Sequence, residues 1–435
     1  MRKEEQRIIH SVPPKATPTM GWLKGFGMFG MLGLLLGAGA IALPAQDEQP
    51  STNPVKFTTL VNFDLANGAN VDVKPLIQGL DGNIYGTTGS GGANNAGTAF
   101  KMTPDGTLTT LYNFCALSGC GDGNGPGPGV RLGTDGEYYG VTDGGGVVGL
   151  GFGTVFKITA AGGLKTLHSF VGTDGAYPNS FLVQGTDGSF YGTTIAGGNL
   201  AACSGSGCGT VFKVTPGGAL TMLYKFCSQP NCTDGAVAFD GLVQGTDGNF
   251  YGATWQGGAY NLGTIYKMTP AGALSVIYSF CSQSACTDGA NPLWVVPGKD
   301  GKFYGTTYNG GANNVGTVFK ISSAGKLKTL HSFCSQSGCA DGYGPRAGLE
   351  LGSDGDFYGT TYYGGSPLND GTVFKITPAG KLTTLHSFDG ADGANPIGSL
   401  GQDTNGSFYG TTGFGGTSSA NRSSKLSSVI PVCSD

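Results

Sequence analysis

The sequence predicts an all-β fold, a seven-bladed β-propeller with four antiparallel strands per blade, and three observations lead to it. The tetrapeptide YGTT, or a near copy, recurs at Tyr85, Tyr139, Tyr191, Tyr251, Tyr304, Tyr358 and Tyr409, at intervals of 51 to 60 residues. Self-similarity at this period marks a repeat architecture, in which each unit buries its apolar faces against its neighbours. Glycine supplies 82 of 435 residues, each disfavouring a helix interior by about 1 kcal/mol, and capped helical periodicity is missing beyond the N-terminal segment. Each repeat also reads as four short apolar runs separated by Gly, Asp, Asn and Pro clusters.

In the first repeat the runs place strand A at 76–79, strand B at 83–88, strand C at 97–103 and strand D at 108–114. Asp81-Gly82 suits the A–B turn because Gly accepts positive φ and Asp tolerates the left-handed region; Pro104-Asp105-Gly106 fixes the C–D turn. Before the first repeat, VKFTTLVNF (55–63) aligns with the D strands LTTLYNF and LTTLHSF. At the far end, 396–416 supplies strands A and B of the seventh repeat, followed by a degraded strand C in which Lys425-Leu426-Ser427 replaces FKIT. The N-terminal strand is therefore expected to complete the last blade as its outer strand, closing the ring and removing exposed sheet edges. Serines at the apolar positions of that strand C forfeit roughly 1.5–3 kcal/mol of burial each.

Residues 1–45 read as a signal peptide, with Arg2, Lys3, Arg7, Lys15 and Lys24 before an apolar stretch at 26–43 and small residues up to Ala42 and Ala45. An N-terminal membrane anchor is the competing reading, because the stretch approaches a bilayer-spanning length. A linker follows at 46–54, then one propeller over 55–432 and a tail at 433–435. Only 12% of residues are charged, the net charge is −4, and no basic stripe carries interleaved aromatics, so no nucleic-acid partner is expected. Ten of eleven cysteines form C-x4-C pairs: Cys115 with Cys120, Cys203 with Cys208, Cys227 with Cys232, Cys281 with Cys286, and Cys334 with Cys339. Such spacing suggests five local disulfides, each contributing about 2 kcal/mol, in a secreted, periplasmic or cell-surface protein. Zinc would need four converging ligands, whereas these pairs fall on successive blades. Cys433 is left over, open as a free or an intermolecular thiol, and a monomer is expected.

The motif QGxDGxFYGTTxxGG followed by GTVFKxTPxGxLxxLxxF resembles the bacterial GloVer tandem repeat over nearly all of 55–416. More distantly it is similar to NHL-type propeller blades, whose inner strands share the DGNIY pattern. The resemblance implies an extracellular or surface propeller with no assigned activity. Members of that family carry variable C-terminal anchors, and 427–435 departs from them in offering neither an apolar helix nor a basic tail.

A site needs different groups converging at one place, so residues that recur in every blade read first as packing. Asp81, Asp135, Asp187, Asp247, Asp300 and Asp354 share the A–B turn; Asp122, Asp174, Asp234, Asp288, Asp341 and Asp392 share the loop after strand D. Turn formation accounts for both sets. No cofactor is expected, and calcium at the loop aspartates is the alternative, although their spacing lacks a dense run of oxygen ligands. His168, His331 and His386 occupy the strand D position held elsewhere by Tyr112, Tyr224 and Tyr278, which reads as an aromatic or amphipathic position on the outermost strand. No GxSxG elbow supports a nucleophile, and no catalytic residue or metal ligand is assigned. Arg131 and Glu350 break the symmetry of strand A and are expected to line or underlie the channel, each solvated locally rather than paired.

The A–B and C–D turns share one face of the ring and are monotonous, whereas the B–C loops and D–A connections on the other face carry every cysteine pair and the longest insertion. Immediately after YGTT, four consecutive blades present Trp255, Tyr308, Tyr362 and Phe414, the last displaced by one residue. These aromatics suit stacking on sugar rings or packing against a protein surface, with hydrogen bonds from Gln256, Asn309 and Tyr363. The competing reading is that they cover the tops of their own blades. The functional expectation is a binding or scaffold module for carbohydrate or another surface polymer, or for a surface protein. The alternative is a propeller enzyme, a metal-dependent lactonase-like hydrolase or a polysaccharide lyase, although mature-region glutamate is confined to Glu48, Glu137 and Glu350.

Overall fold

The computed structural model describes residues 56–71, 75–365, 368–415 and 428–433, the last of these by backbone alone. The expected signal segment and most of the linker lie outside the described residues. Seven antiparallel sheets form the blades of a ring. In blade 1, strands Ile77–Gln78, Ile84–Thr88, Thr98–Met102 and Leu108–Asn113 pair in sequence order, within two residues of the expected bounds at each end.

Strand A is shorter than expected because its upper half is a separate segment. In blade 3, Ala176–Pro178 pairs with the far end of strand B (Phe190–Ala196), and Val183–Gln184 pairs with its beginning. Pro178 and Val183 are five positions apart, while their partners Thr194 and Tyr191 are three apart. The excess chain leaves the ladder between the two segments, a bulge on the innermost strand.

Ring closure matches the reading of the N-terminus. Val61–Asn62 is the outer strand of the last blade and pairs antiparallel with Ser428–Cys433. Strand C of that blade lies three residues beyond the expected Lys425–Ser427, and it includes Cys433. Its register sets Val429 opposite Thr411 and Ile430 opposite Gly410, as Val211 and Phe212 stand opposite Thr193 and Gly192 in blade 3. SVIPV thus replaces TVFKV, so the strand keeps three aliphatic residues and not a run of serines.

Each letter of YGTT has a separate contact. The tyrosine ring lies against the strand B aromatic of the next blade: Tyr85 on Tyr138, Tyr139 on Phe190, Tyr191 on Phe250, Tyr251 on Phe303, Tyr304 on Phe357 and Tyr358 on Phe408, with centroids 3.9–4.1 Å apart. Its hydroxyl donates to the A–B turn aspartate of its own blade, as from Tyr191 to Asp187 at 2.9 Å. The glycine cannot carry a side chain, because a Cβ on Gly86 would lie 2.5 Å from Leu76 and 2.6 Å from Phe100. The first threonine reaches the incoming chain of the next blade, as Thr193 does in donating to the Asp240 carbonyl at 3.0 Å. The second shares a hydroxyl contact with the threonine that opens strand C, Thr88 with Thr98 at 3.0 Å.

The two sets of aspartates also have defined partners. Besides the turn set, each loop carboxylate after strand D takes a donor from that strand. Tyr112 donates to Asp122 at 2.9 Å and Tyr224 to Asp234 at 2.8 Å, while His331 bonds Asp341 at 2.9 Å. Backbone N–H groups of Ala116 and Leu117 complete the shell of Asp122. Tyr and His interchange on strand D because either offers a hydrogen-bond donor at the ring's far end, a reason more specific than aromatic character. All five expected disulfides are formed, four of them closing the loop that this carboxylate organises.

Tyr266 departs from the pattern. It stands opposite Gly252 where other blades set a phenylalanine opposite the YGTT glycine, and its buried hydroxyl has no hydrogen-bond partner among the described residues. Leaving a buried hydroxyl unsatisfied costs about 1–3 kcal/mol. The Tyr266→Phe variant is expected to be more stable by about 1 kcal/mol, read as a higher urea midpoint at unchanged slope; a lower midpoint would show that the hydroxyl is satisfied.

Candidate binding site

The inner segments bring five successive blades to the axis. Counting from the loop aspartate, the fifth residue is Asn179, Phe239, Leu293, Arg346 and Ile397 in blades 3 to 7, and all five line one cavity of about 380 Å³. They lie in or next to the stretch where the chain bulges away from strand B, which aims their side chains at the axis instead of into a blade. Trp255 and Tyr308, the residues just past YGTT in blades 4 and 5, form part of the wall, and buried Asp240 and Ser399 contribute polar atoms.

The aromatic surface is continuous from blade 4 to blade 6. Phe239 meets Trp255 edge-on with centroids 5.6 Å apart, and Trp255 meets Tyr308 at 5.7 Å. The Arg346 guanidinium lies 5.6 Å from the centroid of Tyr308 and 3.9 Å from that of Tyr362. Burial would lower the Arg346 pKa, but the Tyr308 hydroxyl and the nearby tyrosines outweigh it and raise the value, so the group is a permanent cation.

Of the seven residues expected to bind, Trp255 and Tyr308 line the cavity and Tyr362 stands behind it through Arg346. Gln256, Asn309, Tyr363 and Phe414 are not among its lining residues. Successive side chains of an extended chain point to opposite sides, so the residue after each wall aromatic is turned away. Asn309 donates to Asn291 at 3.0 Å, Tyr363 stacks on Tyr343 at 5.2 Å, and Phe414 pairs with Ala394 at the blade edge. The residues missed by the sequence reading are Asn179, Phe239 and Arg346, together with Leu293 and Ile397. Their signal was available: a fixed offset from an invariant aspartate, with a different residue type in every blade.

On the opposite side of the ring, Arg131 and Glu350 line a second cavity of about 480 Å³ that also includes Phe181 and Gln402. Phe181 meets Trp294 across the axis, from blades 3 and 5, with centroids 5.7 Å apart. Arg131 and Glu350 share this cavity without forming an ion pair among the described residues, yet each feels the other's charge. Burial pushes the Glu350 carboxyl up to about 7, against the opposing pull of Arg131 and the Gln402 backbone N–H. Burial likewise lowers Arg131, with Glu350 opposing.

The family profile described as the Gloeobacter/Verrucomicrobia repeat matches residues 49–205 and 238–423, and the chain belongs to that family. No curated protein matches the sequence. Among solved structures, the chain is similar to the extracellular domain of a hybrid two-component system from B. thetaiotaomicron, at 11% identity and a TM-score of 0.53 over 86% of this chain and 39% of that one. It thus spans about two fifths of that domain's length. A second structure of the same domain, described as part of a one-component system, gives 10% identity and a TM-score of 0.50 over the same shares, 86% and 39%. A gluconolactonase from Xanthomonas campestris matches at 14% identity and a TM-score of 0.41, over 88% of this chain and 96% of that one. At these identities the likeness is one of fold.

Glu350 makes stability pH-dependent. Its folded-state value of about 7 lies above the ordinary 4.5, so the folded chain holds this proton more tightly than the unfolded chain. The contribution is complete below about pH 4.5 and is lost as pH rises through about 7, at up to about 1.4 kcal/mol per pH unit, or roughly 3 kcal/mol in all. The other charged groups at this cavity are Arg131, which stays charged, and Asp403, whose oxygens accept from Tyr409 and from backbone N–H groups. Denaturation curves at pH 4.5 and pH 8 are expected to show Glu350→Gln gaining on the parent chain across this interval; parallel pH profiles would refute the assignment.

Proposed function

We propose that the protein is an exported binding module that recognises carbohydrate, or another polymer of similar chemistry, at the cavity on its variable face. The observation that carries this reading is the unbroken aromatic wall of Phe239, Trp255 and Tyr308 at the mouth of a concave site with few polar groups. Sugar rings present apolar C–H faces and polar edges, and flat aromatic side chains complement the former while leaving the latter to hydrogen-bonding groups such as Asn179 and Ser399. The volume lies near the lower end of the roughly 300–1,000 Å³ typical of small-ligand sites, suited to a short stretch or the end of a polymer. Disulfides in five loops suit an oxidising compartment, where such polymers are met.

The rest of the ring supports binding through rigidity. Ring contacts join six successive pairs of blades, threonine or glutamine hydrogen bonds join most of them, and Asn291 donates to the Trp255 carbonyl between blades 4 and 5, so the wall is held in place before a ligand arrives, which lowers the ordering cost of association. A panel of soluble polysaccharides tested by affinity electrophoresis is expected to include at least one ligand. Trp255→Ala and Tyr308→Ala should each weaken that interaction by about tenfold or more, as loss of a stacking anchor does. Retention of full affinity by both folded variants would sink the reading.

A further inference from the structure

The charge of this cavity narrows the ligand. Arg346 is exposed, while Asp240, the other ionisable residue of the lining, is buried. Among the described residues no carboxylate lies within salt-bridge distance of Arg346; its neighbours are the faces of Tyr308 and Tyr362 and, at 3.5 Å, the Tyr308 hydroxyl. Stacking on Tyr362 uses the flat face of the guanidinium and leaves its N–H edges directed sideways. That edge is a planar fork that matches a carboxylate with two parallel hydrogen bonds. It stands beside Trp255 and Tyr308, so one ligand can meet an aromatic face and a fixed cation together. A protein that is only 12% charged has placed at the rim of its apolar binding cavity a cation with no acidic partner among the described residues.

We infer that the saccharide bound here is carboxylated, a uronate-bearing polymer whose ring lies against Trp255 and Tyr308 while its carboxylate receives the N–H edge of Arg346. This rests on the carbohydrate reading of the same cavity and adds the chemical class of the sugar. Recognition is non-covalent, and Arg346 is the residue that sets specificity.

The test compares polygalacturonate with its fully methyl-esterified form, which keeps the backbone and removes the charge, using the full chain and isothermal titration or affinity electrophoresis. Polygalacturonate is expected to bind more tightly by about ten- to a hundredfold, the worth of a charge-assisted pair, and the advantage should shrink as salt is raised. Arg346→Gln should weaken polygalacturonate far more than the ester, closing the difference between the two. Arg346→Lys should restore part of the difference, because it returns the charge without the fork. Trp255→Ala should weaken both ligands together. Equal binding of acid and ester, or an Arg346→Gln loss shared by both, overturns the carboxylate inference and leaves the carbohydrate reading standing. Tighter binding of dextran sulfate than of polygalacturonate overturns it as well. Binding of no saccharide of any kind overturns both.

Discussion

The fold depends on one side chain used twice. Six of the seven YGTT tyrosines lay the ring on an aromatic of the next blade and donate the hydroxyl to the turn aspartate of their own, so blade packing and the A–B turn are coupled at one residue. Full burial of such a ring contributes about 1.5–3 kcal/mol, and the hydroxyl, wet or bonded at its tip, avoids the cost of an orphaned polar group. Around a closed ring the contact repeats at six joints. At the seventh, Tyr409 shares its buried cluster with Ile84, the one blade whose strand B opens on an aliphatic residue. The joint between the two chain ends is therefore the least aromatic, and other contacts carry it: Thr404 N–H donates to Gln78, Thr411 donates to the Val71 carbonyl, and Val61–Asn62 supplies a whole strand.

Much of this was legible in the sequence because period and turn chemistry point the same way. Alternating strands of five or six residues between Asp-Gly and Pro-x-Gly turns leave little freedom of register, and VKFTTLVNF could be matched to a D strand by its spacing. Strand C of blade 7 was misplaced for a physical reason. Its neighbours are recognised by the Phe-Lys pair that follows Thr-Val, and SVIPV keeps the aliphatic pattern while losing both. Proline at 431 stands where the other blades set lysine against the YGTT tyrosine, and it gives up a backbone donor at a position where the blade itself already departs from the repeat.

The site was half legible. Aromatics after YGTT were found because they stand next to an invariant motif, but a strand's two-residue alternation sends only one of each adjacent pair to the cavity, so Trp255 and Tyr308 face it while Gln256 and Asn309 do not. The other half of the lining comes from the bulged inner segment. Reading that segment as a short plain strand hid the place where its side chains turn toward the axis. The histidines show the converse error of scale: His331 and Tyr112 looked like aromatic filler, yet each is the donor that holds a loop aspartate.

A repeat of this kind separates structure from specificity. The Tyr, the Gly, the second Thr and the turn Asp of the repeat are committed to neighbours, so exchanging one of them in a single blade leaves a cavity or an unsatisfied partner, whereas the first Thr is already Val141 in blade 2 and Ala253 in blade 4. Substitution is cheap only where the chain leaves the ladder, and those positions converge because the ring's geometry brings the same point of each blade to the axis. Five different residue types at one offset, Asn179, Phe239, Leu293, Arg346 and Ile397, are what such a division produces. The asymmetry of the cavity follows: apolar surface from blades 4, 5 and 7, an amide from blade 3, and a cation from blade 6 that the tyrosines of blades 5 and 6 hold in place. The carboxylated saccharide proposed for this cavity matches that asymmetry, with one apolar face and one anionic edge.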